Sequence, residues 1–258
     1  MQKAVLITGC STGIGLVAAK DLKNRGYRVL AACRKPADVT KMTQMGLEGI
    51  ELDLDDSDSV ERAAAQVIEL TGGRLYALFN NGGFGLYGPL HTISRQQLEQ
   101  QFSTNLFGTH QLTQLLLPAM LPHSEGRIIQ TSSVMGLVST AGRGAYAASK
   151  YALEAWSDAL RMELHGSGIH VSLIEPGPIS THFTQNVNQA EADKPVNNPG
   201  IAKRFTLPPE AILPKLRHAL ESPRPQLRYP VTLVAHALTI LRRILPGRML
   251  DKVLRSNS

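Results

Sequence analysis

Tyr146 and Lys150 stand four residues apart at the end of the stretch Thr131 to Lys150, which also carries the serine pair Ser132-Ser133. On a helix, side chains at i and i+4 rise from one face, one turn apart, so phenol and ammonium are neighbours. A free phenol titrates near ~10 and a neighbouring cation favours the phenolate, so the spacing predicts a tyrosine with a lowered pKa that exchanges protons near neutral pH. The serines close an apolar run and alternate across it, so in regular strand geometry at most one of them faces the reaction centre. The chemistry on offer is proton transfer to or from an oxygen. Other elements must hold that device in place and bring it a substrate.

The chain opens with Ala4-Val5-Leu6-Ile7, a short apolar run without alternation, as expected of a strand buried on both faces of a parallel sheet. Thr8-Gly9-Cys10-Ser11-Thr12-Gly13-Ile14-Gly15 follows, then a helical stretch to about Arg25. Strand, glycine turn and helix together aim backbone N–H groups and a helix N-terminus at a pyrophosphate. Further strands are expected at Arg28 to Cys33, Gly49 to Leu52, Leu75 to Phe79, Gly126 to Ser133, Ile169 to Ile174 and Gln226 to Tyr229. Helical stretches separate them, among them a long one from about Ser94 to Leu117 and the one that starts at Tyr146. This alternation predicts an α/β, single-domain, Rossmann-type doubly wound parallel sheet of about seven strands, with helices on both faces. No G-x-x-x-x-G-K-[ST] phosphate loop occurs to compete with that reading.

The glycine spacing Thr8-Gly9-x-x-x-Gly13-Ile14-Gly15 resembles the fingerprint of the short-chain dehydrogenase/reductase family. The order of later motifs agrees with that resemblance from Lys3 to about Tyr229: Asn80-Asn81-Gly82, Asn105, Ser133 with Tyr146 and Lys150, and Pro176-Gly177. The match is most similar to bacterial NADP-dependent aldehyde reductases, and more distantly to retinol and 17β-hydroxysteroid dehydrogenases. The resemblance implies a cofactor cradle of Gly9, Ser11, Thr12, Gly13, Ile14 and Gly15, and an adenine contact at Asp53-Leu54. Asn80, Asn81 and Gly82 stand where the family has Asn-Asn-Ala, Gly82 replacing the alanine. Pro176 and Gly177 form the turn before the nicotinamide contacts, Ile179 through its backbone and Thr181 through its side chain. The family spacing selects Ser133 over Ser132 as the residue that clamps the substrate oxygen. It also makes Tyr146 the proton donor or acceptor, Lys150 the ribose ligand, and Asn105 an interruption of helical bonding that holds a water.

Cofactor choice is read at the end of the second strand, where an acidic residue holds a ribose hydroxyl and positive charge suits a 2′-phosphate. The family's spacing puts Cys33 at the acidic position, with Arg34 and Lys35 next, so NADP(H) is expected.

At 43% hydrophobic and 19% charged residues, the 258-residue chain has the balance of a globular protein rather than a disordered one. Two cysteines, Cys10 and Cys33, are too few for a disulfide framework and lack metal-ligand spacing; a reducing, cytoplasmic setting and no metal are expected. The N-terminal apolar run is too short for a signal peptide, and no stretch reaches the ~20 apolar residues of a membrane span. Net charge is +6, yet eleven Lys/Arg stand against three acidic residues from Gly200 onward, so the positive charge lies in the tail. Residues 1–230 are expected to form the catalytic domain, with a substrate loop at 182–207. Residues 231–258 are expected to be a basic, amphipathic helical extension of it, a lid or a peripheral membrane contact.

Phe84, Leu86, Tyr87, Val134, Met135, Leu137 and Phe183 flank the catalytic positions and suggest an apolar aldehyde, ketone or alcohol as substrate. A 3-oxoacyl reductase receiving an acidic acyl carrier is the alternative enzyme, and a non-catalytic dinucleotide sensor or scaffold the alternative class. No nucleic-acid motif accompanies the basic tail. The resemblance further implies a homodimer or homotetramer, built through the helices that carry Asn105 and Tyr146.

Overall fold

The computed structural model describes residues 2–181, 188–189 and 205–255. Seven parallel strands make one sheet: β1 Ala4–Ile7, β2 Arg28–Cys33, β3 Glu48–Glu51, β4 Ala77–Asn80, β6 Gly126–Thr131, β7 Ile169–Glu175 and β9 Arg228–Pro230. Their order is β3-β2-β1-β4-β6-β7-β9. The order reverses between β1 and β4, so the carboxyl ends of these two strands bound the crevice where doubly wound sheets take their ligands. A separate parallel pair joins β5 Leu86–Tyr87 to β8 Asn188–Gln189.

The short apolar runs become strands because both of their faces are covered. Alternate residues feed two cores. Leu6, Leu30, Ile50 and Leu78 pack with Val60, Ala63 and Val67 of helix α3 (Ser57–Thr71) and Leu112 and Leu116 of α5 (Gly108–Leu116). On the other face Val5, Ile7, Val29 and Phe79 meet Ala18, Ala19 and Leu22 of α1 (Gly13–Asn24). Leu216 and Leu220 of α7 (Leu213–Glu221) complete that layer. Both faces of the central strands have helices to bury against, which is the driving force that fixes the layers.

The remaining helices are α2 (Pro36–Gln44), α4 (Arg95–Phe102), α6 (Gly144–Glu163), α8 (Leu233–Ile244) and α9 (Gly247–Arg255). The long helix expected from Ser94 to Leu117 is divided: α4 opens with a capping box between Ser94 and Gln97, Ser103–Phe107 form a π turn, and α5 resumes. A tight 3₁₀ turn over Pro209–Ile212 precedes α7. The tail is two helices rather than one, since Pro246 cannot continue α8 and α9 starts afresh after it. Phe183 and most of the 182–207 stretch lie outside the described residues.

Candidate active site

Every expected cofactor residue from β1, β2, β3 and β4 comes at or just past the carboxyl end of its strand. The turn after β1 needs its glycines. Gly9 has φ +70°, and a Cβ there would lie 2.8 Å from the Gly82 Cα, while a Cβ on Gly15 would run into the Gly9 carbonyl oxygen. Ser11 and Thr12 lead into α1, whose N-cap Thr12 makes no side-chain capping bond. The first N–H groups of that helix therefore suit an anion. Thr8 ties the crevice together: its Oγ1 accepts the N–H groups of Asn81 (2.9 Å) and Gly82 (2.7 Å). Asn81 Nδ2 donates back to the Thr8 carbonyl at 3.0 Å. Asn80 Nδ2 donates to Thr113 Oγ1, anchoring the end of β4 to α5. Sequence reading quoted Thr8 only as part of a motif; its service as a double acceptor depends on a loop more than seventy residues away.

Arg34 and Lys35 are exposed just past β2, and neither side chain has a hydrogen bond or ion pair among the described residues. The acid position is held by Cys33, a buried thiol that burial pushes up to about 11. Asp53 is half-buried with Oδ1 accepting the Asp55 N–H, and Leu54 packs against Gly82 and Gly108. On the far side of the crevice Pro176 accepts the Val134 N–H through its carbonyl, and Gly177 lies so close to Thr232 that no side chain fits. Ile179 bridges Leu207, and Thr181 sits over Gly13, where a Cβ would be 3.2 Å from its methyl carbon. An uncapped helix end, a side-chain-free cradle and two exposed cations thus border the crevice.

The reactive cluster lies where β6 gives way to α6. Ser133 keeps extended backbone (φ −165°) and caps the short turn Val134–Gly136, its Oγ accepting the Met135 N–H at 3.1 Å. That same hydroxyl neighbours the Tyr146 phenol and acts to lower its pKa. Ser132, one residue back, turns the other way to the carboxyl of Glu154, so the strand's alternation separates the two serines. Glu154 belongs to a buried charge network in which Arg228 of β9 reaches Glu154 at 3.0 Å, Asp158 at 2.7 Å and Glu175 at 3.3 Å.

Tyr146 and Lys150 share a face of α6, as expected, but their electrostatics differ from the sequence expectation. Lys150 Nζ donates to the Thr131 carbonyl at 2.7 Å and stays 5.9 Å from the centre of the Tyr146 ring. Burial, reinforced by the neighbouring Tyr87 phenol, holds the Tyr146 phenol well above its ordinary value; the Ser133 hydroxyl and the Arg143 charge only partly offset this. Burial also draws the Lys150 ammonium down to about 8, against the pull of Glu154. The phenol therefore stays protonated at neutral pH, and its lowering by Lys150 is not found in this state of the protein. A chain of letters shows the spacing of two charges but not how much water each loses.

Asn105 is buried in the π turn, where Oδ1 accepts the Phe84 N–H and Nδ2 donates to the Phe84 carbonyl, both at 3.0 Å, and to Ser149 Oγ at 3.1 Å. Helical bonding is interrupted at the expected residue. Both amide N–H donors are taken, so a water at this position would donate to Oδ1 or to backbone carbonyls that the wider turn releases.

Above the phenol lies an apolar cluster of Val134, Met135, Val138, Ala147 and Ala235, with Tyr87, Leu238, Leu250 and Leu254 packed on it. Tyr87 meets Tyr146 edge-on with ring centres 5.9 Å apart, and Arg143 lies over the Tyr87 ring at 5.2 Å. Leu86 and Phe84 form a smaller adjoining cluster, while half-buried Leu137 accepts the Tyr151 hydroxyl through its carbonyl. Leu238, Leu250 and Leu254 were missed as pocket residues, although the i, i+4 spacing of Leu250 and Leu254 marks one apolar face of α9.

Comparison with known proteins agrees with this geometry. The short chain dehydrogenase family model matches residues 3–192. An uncharacterized oxidoreductase of Escherichia coli K12, YbbO, is 68% identical over 255 residues, covering 99% of this chain and 95% of that protein. The NADPH-dependent 3-dehydrocapnine reductase of Ornithobacterium rhinotracheale is 31% identical over 274 residues, covering 98% of this chain and 96% of its own length. Among solved structures, a short-chain dehydrogenase from Streptomyces avermitilis superposes with a TM-score of 0.84 at 28% identity, over 100% of this chain and 99% of that one. Sequence, sheet order and site residues thus converge, and the chain belongs to the short-chain dehydrogenase/reductase family of oxidoreductases.

Proposed function

We propose that the protein is an NADP(H)-dependent reductase of apolar aldehydes or ketones, which in reverse oxidises the corresponding alcohols. The observation that carries this reading is the pairing of the Ser133 and Tyr146 hydroxyls against an apolar cluster, beside a crevice that fits a dinucleotide. Gly9, Ser11, Thr12, Gly13, Ile14 and Gly15 would hold the pyrophosphate, Arg34 and Lys35 the 2′-phosphate, and Asp53 and Leu54 the adenine. Asn80, Asn81, Gly82, Pro176, Gly177, Ile179 and Thr181 would line the rest of the cofactor's path. NADPH bound there supplies the hydride that the carbonyl carbon accepts. Ser133 donates a hydrogen bond to the substrate oxygen, and Tyr146 transfers its proton to that oxygen, leaving an alcohol. Lys150 is the cation placed to hold the nicotinamide ribose and to charge-stabilise the tyrosinate. Asn105's turn supplies carbonyls for a water that returns the proton. Burial keeps Tyr146 protonated at neutral pH, the form that donates to a carbonyl oxygen.

The NADPH-dependence named for the Ornithobacterium relative supports the cofactor, as do the unpaired cations after β2. Free, buried Cys10 and Cys33 fit a reducing cytoplasm. The exposed Phe107 and Met162 and the half-buried Trp156, on the helices that carry Asn105 and Tyr146, support a homodimer or homotetramer.

The pH profile tests the lysine's part. With a depressed pKa, Lys150 is charged below about 8 and loses its charge as pH rises through that value. The kcat/KM for carbonyl reduction, which reports the free enzyme, should therefore be level near neutrality and fall above about pH 8. A profile that stays level to the onset of alkaline unfolding would remove Lys150's charge from the mechanism.

A further inference from the structure

The inner sides of α8 and α9 roof the Tyr146 pocket through Ala235, Leu238, Leu250 and Leu254. Their outer sides carry what a buried roof does not need. Leu233, Ala237, Ile240 and Ile244 recur at i, i+4, i+7 and i+11, so they fall on one face of α8 and form a stripe about 16 Å long. That stripe is open to solvent: Leu233 is 75% exposed, Ile240 59% and Ile244 67%. Met249, at the start of α9, is 56% exposed.

Charge identifies what covers this surface. The two helices hold five cations, Arg242, Arg243, Arg248, Lys252 and Arg255, and one acid, Asp251. Arg242 turns back to stack on Tyr151 at 4.9 Å, and Arg255 reaches Asp251 at 3.9 Å. Arg248 and Lys252 form no ion pair among the described residues and stand exposed. An apolar stripe with unpaired cations beside it is the pattern of a helix that lies in a membrane interface, its apolar side chains in the acyl boundary and its cations at anionic headgroups. No helix among the described residues is long and apolar enough to cross a membrane, so the contact is in the plane. A water-soluble partner protein would be met by neutral apolar side chains at such a centre, with charges dispersed at its rim; here the charge is of one sign.

We propose that α8 and α9 dock the enzyme on anionic phospholipid bilayers, with the stripe Leu233, Ala237, Ile240 and Ile244 inserted and Arg248 and Lys252 on the headgroups. The helices that touch lipid are those that cover the pocket, so a carbonyl compound dissolved in the bilayer would meet the active site without crossing bulk water.

The test is flotation of the full chain with vesicles, which needs no turnover and so stands apart from the proposed reaction. Vesicles of phosphatidylcholine with about one third phosphatidylglycerol should carry the protein at least roughly tenfold better than phosphatidylcholine alone. Salt near ~1 M should release it, because screening shortens the reach of the cations to about 3 Å. The double variant Arg248→Glu/Lys252→Glu should lose roughly a hundredfold in binding, and Ile240→Ser/Ile244→Ser about tenfold, both with turnover of a water-soluble aldehyde unchanged. Wild-type protein that stays in the lower fraction with anionic vesicles overturns the proposal. So does a light-scattering mass that Ile240→Asp halves, for the stripe would then be an interface between two copies.

Discussion

Tyr146→Phe is expected to reduce NADPH-dependent carbonyl reduction by roughly 10²–10⁴-fold, the range of a lost general acid, with the fold and dinucleotide binding retained. Tyr146 is buried, and its ring packs on Tyr87 and the apolar cluster beneath α8 and α9, so phenylalanine keeps the packing and removes only the hydroxyl. Steady-state rates together with a fluorescence titration of NADPH separate the two effects. If turnover survives with the phenol gone, the proton comes from elsewhere and the Ser133–Tyr146 pair is structural. The companion variant Ser133→Ala should fall in rate as well, because the hydroxyl it removes neighbours the phenol.

The second large effect concerns the cofactor. Arg34→Ala/Lys35→Ala should lower kcat/KM with NADPH by roughly a hundredfold and leave that with NADH nearly unchanged, since hydrogen bonds to charged groups contribute about 1.5–3 kcal/mol each. Both side chains are exposed without ion pairs among the described residues, so their removal should leave the fold intact. The ratio of the two cofactors' kcat/KM values, taken for both proteins, isolates the 2′-phosphate contribution. Equal losses with NADPH and NADH would place the cations on some other part of the dinucleotide.

The centre of the sheet was readable because its strands are buried apolar runs; β1 and β2 fall on the residues expected of them. What the sequence hid is set by distant contacts. The break in the 94–117 helix arises where Asn105 bonds the Phe84 backbone, a partner twenty-one residues away. The β5 strand is two residues long and exists only through its pairing with β8, which gives periodicity nothing to detect. At the site, spacing located the tyrosine and lysine, and family resemblance chose Ser133. Neither could tell that burial would dominate both pKa values, because desolvation depends on what α8 and α9 lay over the pocket. The sequence-level expectation of a cation-lowered phenol treated the pair as if it stood in water.

In the proposed function, this chain couples a bound nicotinamide to proton transfer at Tyr146. NADPH consumption by the wild-type protein, followed against a panel of apolar aldehydes, ketones and acyl thioesters, tests it most directly. The predicted result is carbonyl-dependent oxidation of NADPH with matching alcohol formation, fastest with apolar aldehydes or ketones and lost in Tyr146→Phe. Tight NADPH binding with no turnover of any carbonyl compound would contradict it.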